Sequence, residues 1–158
     1  MTVLAFGLFA AQSVFESEAK GAASIVADRM GADPVVVRAN TKTRGEVTIA
    51  SIGNILQSTA ERMDRESDVL FLILTSHGSQ DGVAVEAGRR SEVLSPVDLA
   101  HMLNRAGVRH RIVVISACYS GVFLRPLAND DTLVITAADP ITRRSAARTK
   151  LNGWRFQC

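Results

Sequence analysis

Two unbroken apolar runs dominate the hydrophobic pattern of the chain, and each stops abruptly at a reactive side chain. Residues 70–74 (Leu-Phe-Leu-Ile-Leu) lead through Thr-Ser into His77 and a glycine. Residues 112–115 (Ile-Val-Val-Ile) lead through Ser-Ala into Cys118 and then Tyr-Ser-Gly. An apolar run of this length without a helical period predicts a strand that is buried on both faces of a parallel sheet.

The ends of these two strands are the candidate functional site. In open α/β sheets, ligands bind at the carboxyl ends of the strands, often where the strand order reverses. If the two strands are neighbours, the imidazole of His77 lies beside the thiol of Cys118. A cysteine nucleophile needs this pairing.

The remaining pattern alternates strands with helices. Apolar spacing of three and four residues predicts helices over 15–30 and 47–63. A third helix begins at Ser95–Pro96, with Ser as cap and Pro at the first helical position, and ends near Gly107. A short helix or turn follows at 120–127. The other predicted strands are 2–9, 35–38, a minor strand at 83–86 and a further buried strand at 131–138.

This alternation predicts β-α-β units, and hence an α/β fold with a mostly parallel sheet flanked by helices. A length of 158 residues suits one domain. The net charge of +2, with no block of like charge, argues against a nucleic-acid partner. Two cysteines, Cys118 and Cys158, make neither a disulfide framework nor a metal site, and no cofactor is implied.

The apolar amino terminus, residues 2–11, lacks a basic leader and is too short to span a bilayer, so a buried strand is expected there. The chain as written is expected to be cytoplasmic, without a membrane segment. It would be membrane-associated or exported if an upstream segment were missing. The oligomeric state is left open.

Cysteine chemistry gives each residue of the pair a role. A thiol attacks only as a thiolate, and a neighbouring His accepts its proton and later protonates the leaving amine. The oxyanion then needs N–H donors, for which the backbones of Gly78 and Cys118 are candidates. The plainer readings are that Cys118 is a small buried hydrophobe and that His77 is an ordinary strand-end residue.

At these residues the chain resembles the legumain-like cysteine peptidases, of the bacterial type, within the caspase–gingipain–legumain clan. The matching segments are Leu-Ile-Leu-Thr-Ser-His-Gly-Ser at 72–79, Val-Val-Ile-Ser-Ala-Cys-Tyr-Ser-Gly at 113–121 and Thr-Leu-Val-Ile-Thr-Ala-Ala at 132–138. The likeness extends from about the first strand to Asp139.

The resemblance implies a caspase-like three-layer sandwich and a cysteine endopeptidase acting on peptides or proteins through an acyl-enzyme. His77 would be the general base and acid, Cys118 the nucleophile, and Gly78 with the Cys118 amide the oxyanion hole. Ser76 and Ser116 are candidate substrate-binding residues. Legumains carry Glu two residues before the nucleophile, where this chain has Ser116, so their preference for Asn is not transferred.

The carboxyl end departs from the family pattern. The expected organisation is a peptidase domain over 1–140, incomplete at its carboxyl end, and a non-family tail over 141–158. Codons such as CGT TCG GCT GCG CGG ACG AAA for residues 144–150 give Phe-Gly-Cys-Ala-Asp-Glu in another frame, which resembles the family's continuation. The hypothesis is a frameshift near Thr142 that removes the last strand and part of the substrate pocket. Sequencing of the locus tests it.

Two other functions compete with the peptidase. One is a catalytically inactive caspase-like domain that binds protein, or a non-functional truncated copy. The other is an unrelated α/β domain that binds a small ligand at the sheet edge, with Cys118 as packing. Geometry is the discriminator, because a Cys118 sulfur far from the His77 ring, with no route for either to approach, would remove the basis for a peptidase.

Overall fold

A five-stranded parallel sheet organises the fold in the computed structural model, which describes residues 1–140. The strands of the chain are β1 (Thr2–Gly7), β2 (Val35–Ala39), β3 (Val69–Thr75), β4 (Gly78–Ser79), β5 (Gly82–Ala87), β6 (Arg90–Leu94), β7 (His110–Ser116) and β8 (Thr132–Thr136). The helices are α1 (Val14–Met30), α2 (Ile49–Ala60), α3 (Pro96–Ala106) and α4 (Leu124–Leu127), with a 3₁₀ turn at Ser120–Phe123. The large sheet has the order β2-β1-β3-β7-β8, and all of its pairs are parallel.

Helices cover both faces of this sheet, which makes three layers. Alternate residues of a strand point to opposite faces, so each central strand contributes to two cores. On one face Val3, Ala5, Phe71 and Ile73 pack against α1. On the other face the larger core joins the sheet to α2 and α3, and its members include Leu4, Phe6, Leu72, Leu74, Ile52, Leu56, Leu99, Leu103, Val113 and Ile115.

Local signals set the ends of the helices. The hydroxyl of Thr48 accepts from the Ser51 amide at 3.1 Å, and Ser51 Oγ accepts from the Thr48 amide at 2.8 Å, so α2 begins with a capping box. Ser95 Oγ accepts from the Asp98 amide at 3.1 Å and caps α3, as its sequence predicted. Gly107 ends α3 in the left-handed conformation, with φ of 73°.

A small antiparallel sheet of β4, β5 and β6 follows the His77 strand. It is joined to the loop after β1, because the Glu86 amide donates to the Leu8 carbonyl at 2.8 Å and the Ala10 amide donates to the Glu86 carbonyl at 3.2 Å. The predicted minor strand at 83–86 is confirmed as part of β5. The strands β4 and β6 were not predicted: β6 is short and polar, and β4 lies in residues that looked like a turn.

The prediction of a mostly parallel α/β sheet is confirmed, and three details need correction. The strand predicted at 2–9 ends at Gly7, and the helix predicted at 47–63 spans only Ile49–Ala60. The strand predicted at 131–138 exists as β8 but is not buried on both faces, since Leu133 is 56% exposed and Ile135 is 44% exposed. Both lie on one face of the last strand of the sheet, which no described element covers.

The predicted tail over 141–158, with Cys158 and the proposed frameshift near Thr142, lies outside the described residues, and the boundary at 140 stays a prediction. Within residues 1–140, none of the helices combines the length and the apolar character needed to cross a membrane.

Candidate active site

The strands that carry His77 and Cys118 are direct neighbours in the sheet. Thr75, the last residue of β3, pairs with Ser116, the last residue of β7. The next amide, that of Ser76, donates to the Ser116 carbonyl at 3.2 Å. His77 and Cys118 therefore each follow a paired position by two residues, at the same carboxyl edge of the sheet. The pairing of His77 with Cys118 required these two strands to be neighbours, and they are.

The ring of His77 lies against two phenylalanine rings. Its centroid is 4.7 Å from that of Phe9 and 4.9 Å from that of Phe15, and both contacts are edge-to-face. The main chain of His77 is held separately, because its carbonyl accepts from the Ala84 amide of β5 at 2.9 Å. The imidazole is thus half-buried between the loop after β1 and the first turn of α1.

Gly78 brings the two strand ends into main-chain contact. A Cβ at this position would overlap the carbonyl oxygen of Cys118 and lie 3.1 Å from the Cβ of Ala117. Only a residue without a side chain fits there. The chain around His77 and the chain around Cys118 therefore pack directly against each other, and a glycine is what permits this approach.

The segment after Cys118 is held by main-chain geometry. The Cys118 thiol is half-buried and free, and Tyr119 adopts a left-handed conformation with φ of 55°, which is uncommon for a bulky residue. Ser120 Oγ accepts from the Ala138 amide at 3.1 Å and is within 3.4 Å of the Ala138 carbonyl. A Cβ on Gly121 would lie 2.6 Å from the Pro140 nitrogen, so this turn packs tightly on the chain after β8.

The two serines predicted to bind substrate are both buried, at 1% exposure for Ser76 and 3% for Ser116. Ser76 Oγ donates to the Ala84 carbonyl at 2.5 Å and so ties β3 to the small sheet. Ser116 Oγ has no hydrogen-bond partner within residues 1–140. Beside it, the Thr75 hydroxyl donates to the buried carboxylate of Glu18 on α1. A role in substrate binding for Ser76 and Ser116 stays a prediction.

An open groove of about 610 Å³ runs beside this edge, between the loops that follow β1 and β2. Among residues 1–140, Lys42 is the one charged residue that lines it. Glu16, in the first turn of α1, is paired with Lys20 at 2.8 Å and with Arg44 at 3.4 Å. The hydrogen bond from Lys20 lowers the pKa of Glu16 below its usual value, so this carboxylate is ionised and already engaged. The groove is lined by Ala10, Ala11, Gln12, Ser13, Val14, Thr41, Lys42 and Thr43.

The sequence did not indicate the aromatic neighbours of His77. Phe9 was assigned to the end of the first strand, and Phe15 to the buried stripe of the first helix. Both are distant from His77 along the chain, and the strand order β1-β3 is what brings them together. The only signal available was that all three lie at the ends of neighbouring elements on the carboxyl side of the sheet.

Similarity to known proteins agrees with this architecture. The chain resembles the crystal structure of caspase-1 from Spodoptera frugiperda, with a TM-score of 0.57, 19% sequence identity, and coverage of 89% of this chain and 59% of that one. The chain thus spans about three fifths of that protein, and at this identity the likeness establishes the fold. The predicted caspase-like sandwich is confirmed. No protein with curated function matches the sequence.

The sequence itself gives the family. Residues 42–149, more than half of the chain, match the sequence model of the peptidase C13 family. This stretch contains the His77 and Cys118 strand ends and the segment 132–138, and it confirms the resemblance drawn from those three segments. The chain belongs to the peptidase C13 family, the legumain-like cysteine peptidases.

Proposed function

We propose that this chain is a cysteine endopeptidase in which Cys118 and His77 hydrolyse peptide bonds. The observation that carries the proposal is the contact between the two strand ends, where Gly78 packs against the main chain of Cys118. Membership of a peptidase family supports it. The substrate is a peptide or protein, and the groove between the loops after β1 and β2, at the same edge of the sheet, offers an open surface for part of an extended chain.

The reaction follows from the chemistry of the two side chains. His77 takes the proton of the Cys118 thiol, and the thiolate attacks the carbonyl carbon of the scissile bond. The amides of Gly78 and Cys118 donate to the oxyanion that forms. The tetrahedral intermediate collapses to an acyl-enzyme as the imidazolium protonates the leaving amine. Water, deprotonated by His77, then attacks the thioester and releases the acid product and the free thiol.

The test incubates the full chain with a pool of fluorogenic tetrapeptide amides. The members of the pool carry every amino acid in turn at the position directly before the scissile bond. Iodoacetamide-sensitive cleavage is expected. Cys118→Ala and His77→Ala should each lower kcat/KM by about 10³-fold or more, as loss of a nucleophile or its base does in other hydrolases. His101→Ala is the matched control, because this exposed histidine lies on α3, and its activity should be unchanged.

Circular dichroism of each variant separates loss of catalysis from loss of folding. A folded wild-type chain that cleaves no member of the pool would overturn the peptidase and favour the alternative, a caspase-like domain that only binds protein. If the Cys118→Ala variant still cleaves the peptides, the nucleophile is a residue other than Cys118.

A further inference from the structure

The side chains that contact the His77 ring are aromatic. Phe9 and Phe15 meet it edge-to-face at interplanar angles of 85° and 80°, and they contact each other at 6.0 Å between centroids. In the part of the chain that the structure describes, the His77 ring makes these two ring contacts, and no hydrogen bond joins it to another side chain, that of Cys118 included. We call Phe9 and Phe15 the aromatic clamp.

Separate elements anchor the two rings of the aromatic clamp. Phe9 lies in the loop after β1, where it forms a parallel bridge with Glu86 of the small sheet. Phe15 lies in the first turn of α1 and is only 1% exposed. Because the two anchors belong to different parts of the fold, a rotation of the imidazole about its side-chain bonds changes its contact with rings that are held independently.

In many hydrolases a third polar group hydrogen-bonds the catalytic histidine and fixes its ring. The aromatic clamp offers another means to the same end. Edge-to-face geometry lets the electron-rich face of one ring meet the electropositive edge of the next. These contacts therefore favour one orientation of the imidazole over others.

We propose that Phe9 and Phe15 are positioning residues that keep the His77 ring at the strand end beside Cys118, from which it exchanges a proton with that thiol. The inference rests on the proposed function. The step itself moves one proton from the Cys118 sulfur to a ring nitrogen of His77, which leaves a thiolate and an imidazolium. Neither phenylalanine contacts substrate in this role, so both act through the histidine alone.

The test measures the pH dependence of Cys118 alkylation by iodoacetamide, in the full chain with Cys158→Ser so that a single thiol is followed. This readout reports thiolate formation and needs no peptide. Phe9→Leu and Phe15→Leu keep an apolar side chain but remove the aromatic face. We expect each to slow alkylation near neutral pH by about tenfold, since small misplacements of a catalytic group have effects of this order or larger. Cleavage should show the same loss in kcat with KM nearly unchanged.

Two further variants distinguish loss of the aromatic contact from a general packing defect in Phe9→Leu and Phe15→Leu. Phe9→Tyr restores an aromatic face at a partly exposed position and should recover the wild-type alkylation rate. Phe71→Leu is the matched control, because Phe71 is buried in β3 against α1 and makes no ring contact with His77. It should lower stability to urea but leave the alkylation profile in place.

The outcomes separate the two proposals. If His77→Ala slows alkylation and both Leu variants match the wild type, the clamp is overturned and the dyad stands. The clamp is also overturned if Phe71→Leu slows alkylation as much as Phe9→Leu and Phe15→Leu do, because the loss then comes from packing in general. If His77→Ala leaves alkylation unchanged, the dyad fails and the clamp fails with it.

Discussion

The strand end that carries His77 and the strand end that carries Cys118 are neighbours in one sheet, yet different contacts hold them. His77 is surrounded by side chains from distant parts of the chain, the rings of Phe9 and Phe15. Cys118 is followed by a local main-chain arrangement, with Tyr119 in a left-handed conformation and Ser120 hydrogen-bonded to Ala138, just after β8. We refer to these regions as the His side and the Cys side.

The surroundings of the two sides differ in the same way. β3 has β1 and then β2 beyond it, and α1 and α2 cover the two faces of the sheet there. β7 has only β8 beyond it in the described residues, and one face of β8 is exposed. Substitutions on the His side should therefore act through packing, and those on the Cys side through a few hydrogen bonds and the backbone.

The largest effect is expected where the two sides meet. Gly78→Ala places a methyl group on the carbonyl oxygen of Cys118. Main-chain atoms there cannot yield as a flexible side chain does, so the two strand ends must separate. We expect a loss of at least about 2–3 kcal/mol in the free energy of unfolding, the upper part of the usual range for overpacking. Urea denaturation followed by circular dichroism measures this.

Gly53→Ala is the matched control for Gly78→Ala. Gly53 lies inside α2, where the nearest atoms to an added Cβ belong to the Met102 side chain, at 3.8 Å, an ordinary van der Waals distance. Replacing a glycine inside a helix by alanine should raise stability by about 0.5–1 kcal/mol. The two glycines should thus respond with opposite signs. Equal responses would mean that Gly78 does not sit against Cys118, and the contact that carries the proposed function would be lost.

A smaller effect is expected from Ser120→Ala on the Cys side. The hydroxyl of Ser120 is fully buried and serves both the amide and the carbonyl of Ala138. Its removal leaves a buried amide unpaired, which costs about 1–3 kcal/mol. The same unfolding measurement applies. Ser58→Ala, on the exposed face of α2, should stay within about 0.5 kcal/mol of the wild type. A Ser120 variant as stable as the Ser58 variant would show that the Cys side is held by other contacts.

Much of the sheet was predictable from the sequence, because β3 and β7 are apolar runs without a helical period, a pattern typical of buried parallel strands. The edge that bears His77 and Cys118 followed, since parallel strands end together. The cap at Ser95 and the end of α3 at Gly107 were readable from single residues. Each of these features is determined by residues that are close together in the sequence.

The rest depended on partners that the local pattern does not specify. The aromatic clamp arises only after β1 pairs with β3 and α1 packs on both. The strand β6 has a polar composition and exists because it pairs with β5. The run that became β8 indicated a strand correctly, but burial depends on what covers each face. An apolar strand pattern therefore predicts that a strand forms more securely than it predicts which faces of that strand are buried.

The smallest effect is expected at β8, where two adjacent residues face opposite sides. Leu133 is more than half exposed, whereas Val134 packs partly against the larger core. Leu133→Thr retains strand propensity and should change stability by less than about 0.5 kcal/mol. Val134→Thr brings a hydroxyl toward the core and should cost about 1 kcal/mol or more. Urea denaturation of both variants gives the contrast directly. If Leu133→Thr costs as much as Val134→Thr, the outer face of β8 is covered in solution, and the Cys side is then as enclosed as the His side.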